Sequence, residues 1–272
     1  MSGAVIYDFG MNNGDDVEYY LLKAARVVAV EANPALCAGA SRRFAAEIES
    51  GRLSILNVAL CGRDSAAPVA FYVHRRNHVL SQLPRPADDR LGDFTAIDVE
   101  CRTPASIVGQ FGDPLYVKVD VEHYDDRVLE NLFAAGIFPP EISAESHSIA
   151  IFARLVANGY RSFSLVDGSR VSIDYGDATI ATREGPCHFR FRPHSAGPFG
   201  EDIRAPWEDP DSFFHTLAIA GLGWKDIHAS RLIAPQAPAS GAAIAIRQAR
   251  GLARKAMRAA LARTTGRLRR AH

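Results

Sequence analysis

The chain has 272 residues, 47% hydrophobic and 23% charged, and its 31 Lys and Arg balance 31 Asp and Glu. This is the composition of an ordinary globular protein and excludes a disordered chain, a collagen-like repeat and a coiled coil. No apolar run reaches the roughly 18 residues of a membrane span, no basic segment followed by an apolar one marks a secretory leader, and Cys37, Cys61, Cys101 and Cys187 form no CxxC pair. The cysteines read as free thiols of a reducing cytoplasm, not as a zinc site or disulfide framework.

Residues 4–9 are a short apolar run ending at Gly10, which reads as a buried strand. A helix is expected over 15–25, then a β-branched strand over 26–31. Pro34 suits the first turn of a helix running to about residue 50, before Gly51. Residues 53–60 form a third strand. Strands over 69–74 and 94–102 flank a Pro- and Asp-rich loop, and a helix follows over 104–111. Residues 115–120 are a strong strand, 125–135 a helix, 141–145 a strand, 149–158 a helix ending at Gly159, and 160–166 a closing strand. A further helix is expected over 211–220. In the loop before it, Glu201, Asp202 and Trp207 form either an acceptor-binding lid or, as is commoner, a packed surface loop. From residue 240 to the end there are nine Lys and Arg and no acid, which leaves 22 basic against 31 acidic residues in the rest. This Ala-rich tail reads as a basic amphipathic helix. It either lies on an anionic membrane surface, is solvated, or docks on the acidic body.

Alternating strand and helix signals favour an α/β fold with a mostly parallel sheet and helices on both faces. Ligands of such folds sit beyond the carboxyl ends of the strands, near the switch in strand order. Polar residues collect at those ends. After strand 1, Gly10 and Gly14 permit tight turning and close approach of a ligand. The dinucleotide fingerprint G-x-G-x-x-G fails, however, because Asn12 and Asp15 stand at its other two places. With Asp8, Asp15 and Asp16, the loop is a poor cradle for a pyrophosphate and suits a cationic or zwitterionic ligand. Glu31 ends strand 2, 23 residues after Asp8, where an acid can accept both hydroxyls of a ribose. Asp120 and Glu122 follow strand 4, ahead of Asp125 and Asp126, which read as helix N-terminal acids. His147 follows strand 5 and would point into the same cleft.

The set Tyr7-Asp8-Phe9-Gly10-Met11-Asn12-Asn13-Gly14-Asp15-Asp16, Val27-Val28-Ala29-Val30-Glu31-Ala32-Asn33-Pro34 and Val117-Lys118-Val119-Asp120-Val121-Glu122 resembles the FkbM family of S-adenosylmethionine-dependent methyltransferases. Asn57-Val58-Ala59-Leu60 and the loop containing Ser81 also resemble family elements. The resemblance covers residues 4–166, and extends weakly to 195–202. It implies a class I methyltransferase (Rossmann-like) fold, a seven-stranded, mostly parallel sheet with a reversed hairpin at one edge. The change in charge and Pro235 and Pro238 mark the chain's own division: a domain over 1–234, with 170–234 the expected acceptor side, and 235–272 a linker and basic tail.

The resemblance further implies methyl transfer to a hydroxyl, often of a sugar, glycan or natural product, with S-adenosylhomocysteine as co-product. Asp8, Gly10, Asn12 and Gly14 would line the methionine end of the cofactor. Glu31 would bind the ribose, with Asn33 close by, and Asn57 to Ala59 would border the adenine. Asp120 would face the sulfonium and acceptor. The family commonly has glycine where this chain has His123. His147 is the expected general base, with Asp120 or Glu122 orienting it or holding the acceptor. No metal is expected; Asp120, Glu122 and Glu145 are the hard oxygen ligands that would hold Mg²⁺ if one bound. The failed glycine fingerprint disfavours a dehydrogenase. A nucleic-acid methyltransferase is kept open by the basic tail and disfavoured by the motif after strand 4. A methyltransferase-like protein that binds cofactor without turnover is the alternative outside enzymes.

Overall fold

The computed structural model describes residues 5–236, so the basic tail lies outside the described residues. Strand β1 (Val5–Phe9) is buried along its whole length, and α1 (Val17–Lys23) returns the chain to β2 (Arg26–Val30). Asn33 caps α2 (Pro34–Arg43) by accepting from the Ala35 N–H, and Pro34 occupies the first turn, where a missing N–H costs nothing. The single helix expected over 34–50 is in fact two. Phe44, at φ −111° and ψ 30°, leaves helical geometry to bury its ring, and α3 (Ala45–Glu49) follows. The strand expected over 53–60 also divides. β3 (Leu53–Leu56) pairs with β2, while β4 (Ala59–Leu60) joins a small second sheet with β5 (Ser65–His74) and β6 (Phe94–Arg102) in the order β4-β6-β5.

Helix α4 (Pro104–Phe111) begins at a Thr103 cap and ends at Gly112, as its local signals dictate. β7 (Pro114–Val119), α5 (Asp125–Ala134), β8 (Glu141–Ser146), α6 (Ile149–Ala157) and β9 (Ser162–Asp167) continue the alternation. A one-turn α7 (Val171–Asp174) and a hairpin of β10 (Ala178–Thr182) and β11 (Gly185–Phe189) precede α8 (Pro210–Ala220) and β12 (Gly223–Ser230).

The main sheet has seven strands in the order β3-β2-β1-β7-β8-β12-β9. β12 is antiparallel to both of its neighbours, and the other pairings are parallel. This is the reversed-edge sheet that the family resemblance implies. Its strands are buried on both faces, as parallel sheets require. Tyr7, Phe9, Val28, Val117 and Val119 pack with Leu129 and Leu132 of α5 on one side; Ile6, Val27, Ala29 and Tyr116 pack with Tyr20 and Phe199 on the other. The order reverses between β1 and β7, and the site lies at that switch point.

Two further expectations are corrected. Cys61 and Cys101 are joined in a disulfide, leaving Cys37 and Cys187 free. The residues are separated by 40 positions, and the pairing of β4 with β6 brings their Cα atoms to 6.1 Å, within bridging range. The free-thiol reading fails because that pairing is non-local. The lid reading of 201–207 also fails. Trp207 is buried in the core. The Asp202 carboxylate accepts from Lys23 Nζ and Tyr19 Oη, both at 2.7 Å, which pins the segment to α1. Among the described residues, no helix is long and apolar enough to cross a membrane.

Candidate active site

A cavity of about 550 Å³ opens at the switch point, within the range of small-molecule sites. Its floor is set by Gly10, at φ +94°. A Cβ here would lie 1.7 Å from the Asp120 carbonyl oxygen, so only glycine lets the turn after β1 pass so close to the end of β7. The Gly10 and Met11 N–H groups both donate to the Val30 carbonyl, at 3.0 and 2.9 Å, which ties the loop to β2.

Beneath this floor sits Lys118, a residue whose role the sequence reading missed. A lysine within an otherwise apolar strand was the available signal. Its Nζ donates to the Gly10 carbonyl at 2.9 Å and lies 3.3 Å from Asp8 and 3.4 Å from Asp120. Burial works against its charge, but Asp8, Asp120, Asp16 and Asp226 more than offset this and raise its pKa. Burial pushes Asp8 up to about 6, against the pull of Lys118. Asp16 accepts from Ser195 Oγ and from the Ala196 N–H at 3.1 Å, tying the 195–202 segment to the start of α1.

On the β2 side, Glu31 lines the cavity. One carboxylate oxygen accepts from the Asn12 N–H at 2.9 Å and the other from the Asn33 N–H at 2.7 Å. Burial outweighs these bonds and carries its pKa up to about 7. Two backbone donors thus fix the carboxylate in position, and each oxygen keeps a lone pair for a further donor. Beyond it, Ala32, Leu36, Val58, Ala59, Leu60 and Phe71 form an apolar wall.

At the far side the chain places Asp120, Glu122, His123, Glu145 and His147 around the same cavity. Glu122 and His123 both have positive φ, +41° and +66°, a conformation that costs a non-glycine residue about 1–3 kcal/mol. A glycine at position 123 would carry no such cost. His147 Nε2 lies 2.9 Å from a Glu145 carboxylate oxygen and 3.7 Å from one of Glu122. Its ring centre is 5.0 Å from that of His123. Burial lowers the His147 pKa, but Glu145, Asp125 and Glu122 outweigh it and bring it up to about 9. Burial, reinforced by Asp120 and Glu145, pushes Glu122 up to about 8. Burial and His147 both lower His123. The surrounding carboxylates therefore favour the protonated form of His147. Ligand atoms of Glu122, Glu145 and His147 lie within 4.8 Å of one another. This trio, not Asp120, Glu122 and Glu145, has the metal-ligand geometry.

Of the sequence-derived candidates, Gly10, Asn12, Glu31, Ala59, Asp120, Glu122 and His147 meet in the cavity. Asp8, Gly14, Asn33 and Asn57 are not among its lining residues and support it from behind. Asp8 is buried under the floor on Lys118. The Cα of Gly14 faces the Phe44 ring, which a Cβ would approach to 3.1 Å. Asn33 caps α2. The Asn57 amide donates to the Glu31 and Ala32 carbonyls at 2.9 and 3.0 Å. Trp224 and His194 also line the cavity, and sequence reasoning assigned neither of them a role.

No protein-family model matches the sequence, and no curated protein matches it. Solved structures do. An FkbM methyltransferase from Methylobacillus flagellatus KT is 13% identical over 60% of this chain and 39% of its own, with a TM-score of 0.39. This chain thus spans well under half the length of that structure. A SAM-dependent O-methyltransferase from Thermotoga maritima is 8% identical over 86% of this chain and 61% of its own, with a TM-score of 0.37. A SAH-bound methyltransferase from Podospora anserina is 10% identical over 53% of this chain and 46% of its own, with a TM-score of 0.31. At these values the likeness carries no residue role. The strand order, with β12 reversed, is decisive. The fold is the class I methyltransferase fold.

Proposed function

We propose that the chain is an S-adenosylmethionine-dependent O-methyltransferase acting on a hydroxyl of a sugar, a glycan or a glycosylated natural product. One observation carries this reading: a fixed carboxylate, Glu31, and a proton-holding group, Glu122, Glu145 and His147, share one cavity at the switch point. The cavity fits the cofactor, with an apolar wall for adenine, the two free lone pairs of Glu31 for ribose hydroxyls, and the close-packed Gly10 turn with Asp120 for the methionine end. When bound, S-adenosylmethionine supplies an electrophilic methyl carbon.

The chain's own part is alignment and proton transfer. Holding the acceptor oxygen in line with the methyl carbon gains the large effective molarity of an oriented pair. A sugar hydroxyl is barely acidic, so removal of its proton by the imidazole of His147, whose Nε2 faces Glu145, contributes roughly 10²–10⁴-fold. Because the protonated form of His147 is favoured, this step strengthens on the alkaline side. Glu122 and Asp120 hold the acceptor. The Glu122, Glu145 and His147 donors also suit a divalent cation, but proton removal by His147 does not require one.

The test is transfer of a tritiated methyl group from S-adenosylmethionine to cell-extract fractions split into lipid-linked, soluble-glycan and RNA pools. Label in either carbohydrate pool supports the reading, and label confined to RNA overturns it. Cofactor binding without product in any pool would instead favour a protein that holds cofactor without turnover.

A further inference from the structure

The chain has two tryptophans, and they occupy opposite environments. Trp207 is buried in the core, while Trp224 lines the cavity with 45% of its surface exposed. Three features hold Trp224 there. First, the pairing of β12 with β8 shifts register between Gly223, opposite Ser146, and Asp226, opposite Glu145. Relative to β8, Trp224 and Lys225 are therefore extra residues; Lys225 keeps its pairing with Asp167 of β9, whereas Trp224 pairs with neither neighbour, and such bulges re-aim side chains beside functional sites. Second, the indole lies against the backbone of Gly168, where a Cβ would come within 2.3 Å of its Nε1. Third, His194 stacks on it, with ring centres 5.5 Å apart and planes at 13°. His194 itself adopts a positive φ of +72°, a strained conformation of the kind that accompanies ligand contacts. An exposed indole held by a bulge, a glycine seat and a strained histidine is not accounted for by core packing.

We infer that Trp224, backed by His194, is the stacking platform for the sugar ring of the acceptor. The inference rests on the acceptor reading above and deepens it. The C–H face of a pyranose is apolar and packs on an aromatic face. Its rim of hydroxyls needs hydrogen-bonding partners, and the same cavity offers Glu122, Glu145, His147, Asn77, His78 and Ser81. Trp224 thus sets which ring is accepted and how its hydroxyl is presented to His147. It is a specificity-determining residue.

The reporter is tryptophan emission of the full chain. It is titrated with methyl α-D-mannopyranoside, methyl α-L-rhamnopyranoside and methyl β-D-glucopyranoside, and separately with tetramethylammonium chloride. The expected result is a saturable change with at least one glycoside. It is absent from Trp224→Phe, which leaves Trp207 as the only fluorescent indole. Saturation-transfer NMR should show glycoside binding weakened about tenfold in Trp224→Ala. It should also be weakened in Gly168→Ala, whose new methyl displaces the indole. No glycoside response, a response to tetramethylammonium alone, or wild-type glycoside binding by Trp224→Ala would overturn the inference. Calorimetry with S-adenosylmethionine separates the two claims: glycoside binding without cofactor binding would leave the platform standing and remove the methyl-transfer reading.

Discussion

Replacing Lys118 by Met deletes the ammonium beneath the site while keeping most of its volume. Lys118 is 3% exposed and lies 3.3 Å from Asp8, which is fully buried, and 3.4 Å from Asp120. Asp16 and Asp226, both also buried, contribute to holding its charge. Removing one partner of a buried ion pair leaves an uncompensated charge, at a cost of about 3–5 kcal/mol. In a chain of this size that lowers Tm by roughly 6–20 °C. The loss carries a pH signature. Asp8 titrates near 6 in the folded chain against an ordinary value of 3.8. Between those values the folded state binds more protons than the unfolded one, so stability falls as pH rises through the window. Without Lys118 the Asp8 pKa climbs further and the window widens upward. Urea denaturation should therefore show Lys118→Met more destabilised at pH 8 than at pH 5, with part of the deficit restored by adding Asp8→Asn. A loss below about 1 kcal/mol, or an equal loss at both pH values, would refute the buried-charge account.

Glu31→Ala removes the cavity-side acceptor and unpairs the Asn12 and Asn33 N–H groups; calorimetry should show S-adenosylmethionine binding weakened roughly 10–100-fold. Because the protonated form of His147 is favoured, with a pKa of about 9, wild-type turnover should rise with pH through the 8–9 range. His147→Ala should lose roughly 10²–10⁴-fold in kcat and flatten that rise, whereas full turnover with an unchanged profile would remove His147 from the mechanism. The Cys61–Cys101 bridge closes a loop of 40 residues, so Cys61→Ser with Cys101→Ser should cost roughly 4 kcal/mol by the chain-entropy relation, read as a lower urea midpoint that dithiothreitol reproduces in the wild type.

Where signals are local, the sequence and the structure agree. Helix α4 runs from Pro104 to Phe111 because Thr103 and Pro104 start it and Gly112 ends it, all within ten residues. That Gly10, Glu31, Asp120 and His147 would meet in one cavity was legible because strand ends in a doubly wound sheet converge on the switch point. What was not legible depends on non-local contacts. Asp8 looked like a cofactor-loop acid, yet it is still within β1 and is claimed by Lys118 from the neighbouring strand. β12 was assigned no element because Asp226, His228 and Ser230 break up any apolar run there. In the fold they are buried between β8 and β9, and burial lowers His228 to a pKa of about 3, so it is neutral there. The Cys61–Cys101 pairing and the outward aim of Trp224 likewise follow from strand register, which no short window of sequence contains.

The central claim is that the cavity at the switch point holds S-adenosylmethionine, and isothermal titration of the full chain with that cofactor tests it most directly. The account predicts one saturable site, retained by Trp224→Ala and weakened by Glu31→Ala. No binding of S-adenosylmethionine or S-adenosylhomocysteine to the wild type, together with saturable binding of NADH, would contradict it.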